Sequence, residues 1–283
     1  MAIKIVTDST CDLPENVIKD LGITVVPLFI NIGERGYLDG VEITRKDFYT
    51  NLPDYADYPS TSTPGMDSFT RIYEELALQG ATQILSIHIS KSLSATIDVA
   101  NRATKMFTEI PVVARDSRQL STGTGFQVET AARMAKEGKS LDEITHALDD
   151  LAECTLVAAG LDSLDYLRRS GRLSAIMTGL GSILQLKPIL TMVNGNPGSE
   201  RVRTARKVED RLVEMVEGHQ PIERFALLHA NAPTKAEALR SRISHLIEGQ
   251  EVYSMNITPV IGTHIGPGAA GFALISETSI GKA

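Results

Sequence analysis

Short apolar runs alternate with amphipathic stretches along the first half of the chain. The runs with the composition of buried strands are Ile3–Val6, Ile23–Ile32, Gln83–Ile89 and Pro111–Ala114. Between them, apolar residues recur at helical spacing and predict helices over Pro14–Leu21, Lys46–Leu52, Met66–Leu78, Ile97–Phe107, Gly123–Lys136 and Leu141–Leu151. This alternation of strand and helix predicts a largely parallel sheet that is covered by helices on both faces.

Capping residues support two of these helices. Thr44 precedes the second predicted helix and is its expected N-cap. Ser140 opens the last of them, and Glu143 stands at the position that completes a capping box.

The second half of the chain has a different order of elements. Its predicted strands are Leu156–Gly160, Leu186–Val193, Phe225–Ala230, Glu251–Ile257 and Ala270–Ile275. Its predicted helices are Leu164–Arg169, Ala175–Leu180, Lys207–Val216 and Lys235–Ile247. This order predicts a mixed sheet, so we expect an α/β protein with two α/β domains, over residues 1–158 and 159–283.

Three segments rich in proline or glycine are expected to be irregular. Pro53–Gly65 is predicted to be a loop, Gly195–Gly198 a turn, and Gly262–Gly268 a loop between the last two strands.

Composition excludes several classes of function. The chain has 283 residues, a net charge of −7 and no basic block, so no nucleic-acid partner is expected. No apolar stretch approaches the roughly 18 residues that span a bilayer, and the N-terminus lacks the apolar core of a signal peptide. Cys11 and Cys154 are too few for a disulfide framework, so a reduced cytoplasm is the expected location.

Two clusters of hydroxyl side chains precede predicted helices. Ser90–Thr96 follows a strand and opens a helix, and Ser60–Gly65 stands in the same relation to the helix over Met66–Leu78. Free N–H groups at a helix N-terminus and nearby hydroxyls can hold a small anion. A helix needs only one hydroxyl as its cap, so each cluster is compatible with capping and with binding.

Other polar residues also have two interpretations. Asp8-Ser9 and Asp116-Ser117 end two predicted strands, where open parallel sheets bind ligands but where turns also need caps. Arg168, Arg169 and Arg172 could bind a phosphate or carboxylate, or could lie at a solvated helix end.

A glycine-rich segment, Gly262–Gly271, contains His264. It has a proline and lacks the strand–turn–helix context of a dinucleotide-binding motif. No two histidines stand at metal-ligand spacing, and neither a Walker loop nor a GxSxG motif occurs. We therefore expect no metal and no cofactor.

Taken together, these segments resemble the DegV family of fatty-acid-binding proteins, whose members include the lipid-binding subunits of bacterial fatty acid kinase. The resemblance spans essentially the whole chain. The segments that carry it are Thr7-Asp8-Ser9-Thr10-Cys11-Asp12-Leu13, Thr61-Ser62-Thr63-Pro64, Leu93-Ser94-Ala95-Thr96, Asp116-Ser117, Ser170-Gly171-Arg172-Leu173, Lys187-Pro188-Ile189-Leu190 and Gly262-Thr263-His264-Ile265-Gly266-Pro267-Gly268.

The resemblance implies that a long-chain fatty acid lies in a cleft between the two domains. It implies that Thr61, Ser62 and Ser94 hold the carboxylate, with the N–H of Ala95 nearby. It places Arg172 and His264 near the carboxylate and near the docking face for a separate kinase. It further implies a role in bacterial phospholipid metabolism, with at most transient membrane contact.

Three segments depart from the usual motifs of the family. Ala95 stands in place of a glycine, Thr63-Pro64-Gly65 in place of Gln-Pro-Ser, and Ser170-Gly171-Arg172 in place of Gly-Gly-Arg. None of them removes a side chain expected to contact the ligand. Chain-length preference and pairing with a kinase are the properties that these departures leave open.

Two other functions remain open on the residues alone. The chain could be a hydrolase that uses Ser94 and His264, although no strand–turn–helix elbow and no orienting acid are predicted. It could also be a binding module for another anionic metabolite. Within the Ser90–Thr96 cluster, Ser94 is the residue predicted to contact the ligand, whereas Ser90 and Ser92 are expected to cap the helix or to face solvent.

Overall fold

The computed structural model describes residues 2–173 and 186–280. In chain order its strands are Ile3–Asp8 (β1), Thr24–Val26 (β2), Phe29–Ile32 (β3), Arg35–Leu38 (β4), Ser60–Ser62 (β5), Gln83–His88 (β6), Val112–Asp116 (β7), Thr155–Gly160 (β8), Lys187–Val193 (β9), Asn196–Val202 (β10), Ile222–His229 (β11), Val252–Asn256 (β12) and Ala270–Ser276 (β13). Its helices are Glu15–Leu21 (α1), Arg45–Asn51 (α2), Met66–Leu78 (α3), Thr96–Met106 (α4), Ser121–Lys136 (α5), Leu141–Cys154 (α6), Asp165–Arg169 (α7), Ala205–Glu217 (α8), Pro233–Ile243 (α9) and Pro259–Ile265 (α10). No helix within this part of the chain is long and apolar enough to cross a membrane.

The first half forms a four-stranded sheet in the order β2-β1-β6-β7, in which all neighbours are parallel. Alternate residues of β1 point to opposite faces, as the pleat requires. Val6 packs with α3 and α4, while Ile5 packs with α1, α5 and α6. The prediction of a parallel sheet covered on both faces is confirmed.

The second half forms a six-stranded mixed sheet in the order β10-β9-β8-β13-β11-β12. Among the described strands of this sheet, only β11 and β12 pair in parallel. On the outer face Leu156 and Phe272 pack against α8 and α9. On the inner face Val157 and Met192 pack against Phe126 of α5, so this face is turned towards the first half of the chain.

A third, antiparallel sheet with the order β4-β3-β5 connects the two halves. The hydrophobic cluster behind it joins Ile30 of β3, Phe48 and Tyr49 of α2, and Val260 of α10. The sheet change from the first half to the second comes at Thr155, at the start of β8. We propose that the division into two domains follows this change of sheet.

The buried carboxyl of Asp12 joins the two halves. The guanidinium of Arg45 lies 2.9 Å from one of its oxygens, and the Ser121 hydroxyl donates to the other at 2.6 Å. The N–H of Thr258, in the second half, also donates to it, at 2.9 Å. Arg45 also donates to the carbonyl of Asn256. Donors from several elements therefore converge on one carboxyl group.

The prediction of a single strand over Ile23–Ile32 is wrong. The chain leaves β1 after Val26 and enters a different sheet at Phe29, and Pro27 lies between. At the crossing, the N–H of Leu28 donates to the Ser9 hydroxyl and its carbonyl accepts from Asp39. Proline has no N–H to donate to a ladder, which explains why the strand breaks there.

Three segments predicted to be irregular contain regular structure. The predicted loop Pro53–Gly65 includes β5, an all-polar strand whose Thr61 pairs with Ile30. The predicted turn Gly195–Gly198 lies mostly in β10. The turn itself is Asn194-Gly195, both residues with positive φ, which is the typical hairpin sequence.

The predicted loop Gly262–Gly268 is largely the helix α10. Thr258 caps it, since its hydroxyl accepts from the N–H of Val260, and Pro259 stands in the first turn. Gly266 ends it at φ +76°. These are ordinary helix start and stop signals that the density of glycines obscured. The helix predicted over Ala175–Leu180 lies outside the described residues.

Candidate functional site

A cavity of about 350 Å³ lies between the two halves of the chain. The structure places all of the predicted site residues on its wall: Thr61, Ser62, Ser94, Ala95, Arg172 and His264. Most of the remaining wall is aliphatic: Leu28, Ile89, Leu93, Leu120, Leu167, Leu190, Val260, Ile261 and Ile265. A cavity of this composition suits a ligand with a small polar group and a large apolar part.

Thr61 and His264 form the contact that joins the polar residues from the two halves. The Thr61 Oγ1 lies 2.9 Å from the His264 Nε2. Thr61 is held by pairing of β5 with β3, and His264 stands in the last turn of α10, which packs against both strands. Residues that are 203 positions apart are thus brought together by the three-stranded sheet.

His264 is neutral at physiological pH. Burial, together with the nearby charge of Arg172, lowers its pKa to about 4. Its Nδ1 is buried and has no hydrogen-bond partner within the described residues. Arg172 itself donates to the carbonyl of Ser170 at 2.8 Å. The neutral imidazole therefore keeps one buried nitrogen without a partner among the described residues.

Ser94 stands at the start of α4. Its hydroxyl accepts from the N–H of Thr96 at 3.3 Å and lies 2.9 Å from the Thr96 Oγ1. Ala95 is the N-cap residue of α4 and has no polar side chain, so the Ser94 hydroxyl, one residue earlier, accepts from the first N–H of the helix. A serine hydroxyl has one donor and two acceptor positions, so these contacts do not exhaust its hydrogen-bonding capacity.

Ser90 and Ser92 shape the turn before Ser94. The N–H of Ser92 donates to the Ser90 hydroxyl, and the N–H of Ser94 donates to the Ser90 carbonyl. Ser90 is fully buried, so the alternative that it faces solvent is wrong. Neither residue lines the cavity among the described wall residues.

The pairs at the strand ends, Asp8-Ser9 and Asp116-Ser117, make hydrogen bonds within the turns that follow their strands. Asp8 is fully buried and accepts from the N–H groups of Thr10 and Ile89, each at 3.0 Å. Asp116 accepts from the N–H of Arg118 at 2.8 Å. Ser117 accepts from the N–H of Gln119. Capping accounts for these residues, and the structure does not bring them to the cavity wall.

The three arginines of the second half have different surroundings. Arg168 makes an exposed ion pair with Asp165, and Arg169 lies over the ring of Tyr58, 5.4 Å from its centroid. Arg172 alone of the three lines the described cavity. Only this arginine is placed to act on a bound ligand.

Close packing accounts for the glycines around His264. A Cβ at Gly262 would lie 2.2 Å from the hydroxyl oxygen of Tyr49, so that α10 can approach α2 only with glycine there. A Cβ at Gly266 would lie 2.3 Å from the ring of Tyr166. Packing against Tyr49 and Tyr166 is therefore sufficient to explain why these two positions beside His264 are glycines.

A serine–histidine–aspartate arrangement occurs elsewhere in the molecule. Ser86 Oγ lies 2.7 Å from His88 Nε2, and His88 Nδ1 lies 3.0 Å from an oxygen of Asp8. All three residues are fully buried, and the Tyr73 hydroxyl donates to Ser86. No substrate can reach this serine, so the arrangement is structural despite its geometry.

The pair expected in a hydrolase is not assembled at the cavity. The hydroxyl contacts of Ser94 are to Thr96, whereas His264 contacts Thr61. No carboxylate orients the His264 Nδ1 among the described residues. The geometry lacks the base-to-nucleophile contact that activates a serine.

The sequence did not identify the aliphatic wall of the cavity. Its members come from loops, strands and helices of both halves, such as Leu28, Leu120, Leu190 and Ile261. Each looks like an ordinary core residue in its own element. No periodicity marks them, because the wall is assembled across elements rather than along one.

Comparison with known proteins agrees with this architecture. The model of the family described as "Uncharacterised protein, DegV family" matches residues 2–277. DegV domain-containing protein lin2658 of Listeria innocua is 34% identical over 273 residues, which cover 95% of this chain and 96% of that protein. The chain belongs to the DegV family.

Solved structures share the fold over almost the whole chain. DegV of Bacillus subtilis, described as a fatty acid binding protein, has a TM-score of 0.90 and 31% identity, covering 98% of this chain and 100% of its own. A DegV family protein of Thermus thermophilus, described in terms of its fatty acid binding, has a TM-score of 0.87 and 33% identity, with 98% and 100% covered.

Proposed function

We propose that this protein binds a long-chain fatty acid in the cavity between its two halves. The observation that carries the proposal is the composition of the cavity wall, which combines a few hydroxyl, imidazole and guanidinium groups with mostly aliphatic side chains. The description of two DegV relatives as fatty-acid-binding proteins supports it. The hydroxyls of Thr61, Ser62 and Ser94 hold the carboxylate, with the N–H of Ala95 and the ring of His264 beside them.

The acyl chain supplies most of the affinity. Burying one methylene is favourable by about 0.8 kcal/mol, so roughly 14 methylenes of a C16 acid contribute on the order of 11 kcal/mol before ordering costs. A charge-assisted hydrogen bond contributes about 1.5–3 kcal/mol. The polar groups therefore fix the orientation of the acid, and the aliphatic wall retains it.

The bound acid is presented to a separate fatty acid kinase, which converts its carboxylate to an acyl phosphate. Neutral donors support this role, because hydroxyls can hold a carboxylate without enclosing it in an arginine fork. Arg172 and His264 lie near the carboxylate, where the kinase docks. The system acts in the cytoplasm on acids destined for phospholipid, with at most transient membrane contact.

Replacement of Ser94 tests the carboxylate site. We expect Ser94→Ala to lower fatty acid retention about tenfold, because a hydrogen bond to a charged group is lost. Ser92→Ala is the matched control, since Ser92 is two residues away and outside the described cavity wall. Denaturing mass spectrometry of the purified proteins measures the retained acid, and acyl phosphate formed with kinase and ATP measures presentation.

Two results would contradict the proposal. A purified wild-type protein that neither contains nor takes up any C14–C18 acid would refute fatty acid binding. Equal retention and equal acyl phosphate formation by Ser94→Ala and Ser92→Ala would refute the carboxylate site alone.

A further inference from the structure

A second, smaller cavity of about 60 Å³ adjoins the main one. Five side chains belong to the walls of both cavities: Leu93, Leu120, Leu190, Ile261 and Ile265. All five are aliphatic. We call this shared wall the aliphatic neck.

The small cavity lies against the inner face of the mixed sheet. Val157 and Ala159 of β8 line it, and in the register of the sheet they pair with Met192 and Leu190 of β9. None of the residues proposed to hold the carboxylate belongs to its described wall. Only the apolar end of a ligand suits this space.

Ala159 contributes only a methyl group to the wall of the small cavity. Its partner on the other side, on β13, is Gly271, so a methyl group stands next to a residue without a side chain. Gly271 is fixed by packing, because a Cβ there would lie 1.9 Å from the carbonyl oxygen of Ala158. The absence of bulk at these two positions leaves the small cavity open, and Ala159 is the position where bulk can be added.

We propose that the neck and the small cavity set the preferred acyl chain length, an inference that rests on the proposed function. A chain that ends before the neck leaves the small cavity empty. A chain that passes between the five aliphatic side chains buries its last methylenes against β8 and β9. Since a water molecule occupies about 30 Å³ of liquid, the space takes only a few methylene-sized groups. An acyl chain too long for the main and small cavities together would have to push the sheet aside. We expect such chains to be excluded from binding.

Two substitutions test the inference in opposite directions. Ala159→Leu fills the small cavity, so we expect the ratio of C18 to C14 saturated acid retained from an equimolar mixture to fall about tenfold. That is the effect of about two methylenes denied burial. Leu120→Ala widens the neck, and the same ratio is expected to rise several-fold. Mass spectrometry of the retained acids measures both.

The controls separate this inference from the proposed function. Ala205→Leu adds the same side chain at an exposed position of α8, and it should leave the ratio unchanged. If the wild type retains acid but neither variant changes the ratio, the neck is refuted and fatty acid binding stands. A wild type that retains no acid refutes the proposed function itself. Should Ala159→Leu fail to fold, Ala159→Val and Leu120→Ala decide the question.

Discussion

His88 and His264 occupy two clusters that are built from the same residue types, yet only one cluster is suited to bind a ligand. His88 has both ring nitrogens within hydrogen-bond distance of partners, Ser86 and Asp8, and all of these residues are fully buried. His264 has a partner on one nitrogen, Thr61, and none on the other within the described residues. The place of His264 on the wall of a cavity, rather than the kind of residues around it, distinguishes the candidate binding site from the structural network.

The comparison predicts the largest loss of stability at Asp8. Burial acts to raise the pKa of Asp8, but the hydrogen bond and charge of His88, together with hydrogen bonds from Thr10 and Ile89, hold it below its ordinary value. Asp8→Ala would leave these buried donors without an acceptor, so we expect the free energy of unfolding to fall by about 3–5 kcal/mol. Chemical denaturation measures it.

Asp116→Ala is the control for Asp8. Its carboxylate also ends a strand and accepts from backbone N–H groups, but it is not fully buried. We expect a loss of only about 1 kcal/mol. Similar losses for the two variants would contradict the structural assignment of the buried network.

A medium effect is expected at His264, and it depends on pH. The pKa of His264 is about 4 in the folded protein, against 6.5 for an unperturbed histidine, so the unfolded chain binds the proton more readily. Its contribution to stability is therefore complete above pH 6.5 and is lost as the pH falls towards 4. At pH 4.5 the loss relative to pH 7 is about 2 kcal/mol.

Paired denaturation curves at pH 7 and pH 4.5 measure this effect. His264→Gln should lose less stability between the two pH values than the wild type does. His245→Gln, at an exposed position, should behave as the wild type. If His264→Gln and the wild type lose the same amount, the buried neutral imidazole is ruled out.

The smallest effect is expected at Arg168, which contrasts with Arg172 on the cavity wall. The Arg168–Asp165 pair is exposed on both sides, and such pairs contribute little. Arg168→Ala should change the free energy of unfolding by less than about 0.5 kcal/mol and leave fatty acid retention unaltered. A loss of retention would show that the binding region extends beyond Arg172.

Local signals in the sequence predicted much of the first half of the fold. The Thr44 cap and the capping box of Ser140 and Glu143 both form as expected, since such caps depend on neighbours a few residues away. β5 was missed because Ser60-Thr61-Ser62 shows no alternation of apolar and polar residues. It becomes a strand only by pairing with β3, in which Thr61 lies opposite Ile30, 31 positions earlier in the chain.

For the candidate site too, some features could be predicted from the sequence and others could not. Motif residues such as Thr61, Ser94 and His264 could be identified from the sequence, and the structure brings them to one cavity. The contact of Thr61 with His264 could not be predicted from the sequence, because it depends on how β5 and α10 pack. Ala159 gave no signal either, since its importance follows from the glycine beside it in the sheet.

The convergence of donors on Asp12 limits how a ligand can be exchanged. Moving the halves apart would withdraw the Thr258 N–H from a buried carboxyl and separate Arg45 from the Asn256 carbonyl in the same step. Each buried group left without its partner costs roughly 1–3 kcal/mol. We therefore expect a ligand of this cavity to enter and leave by local rearrangement of the cavity wall, while the two halves of the chain keep their relative positions.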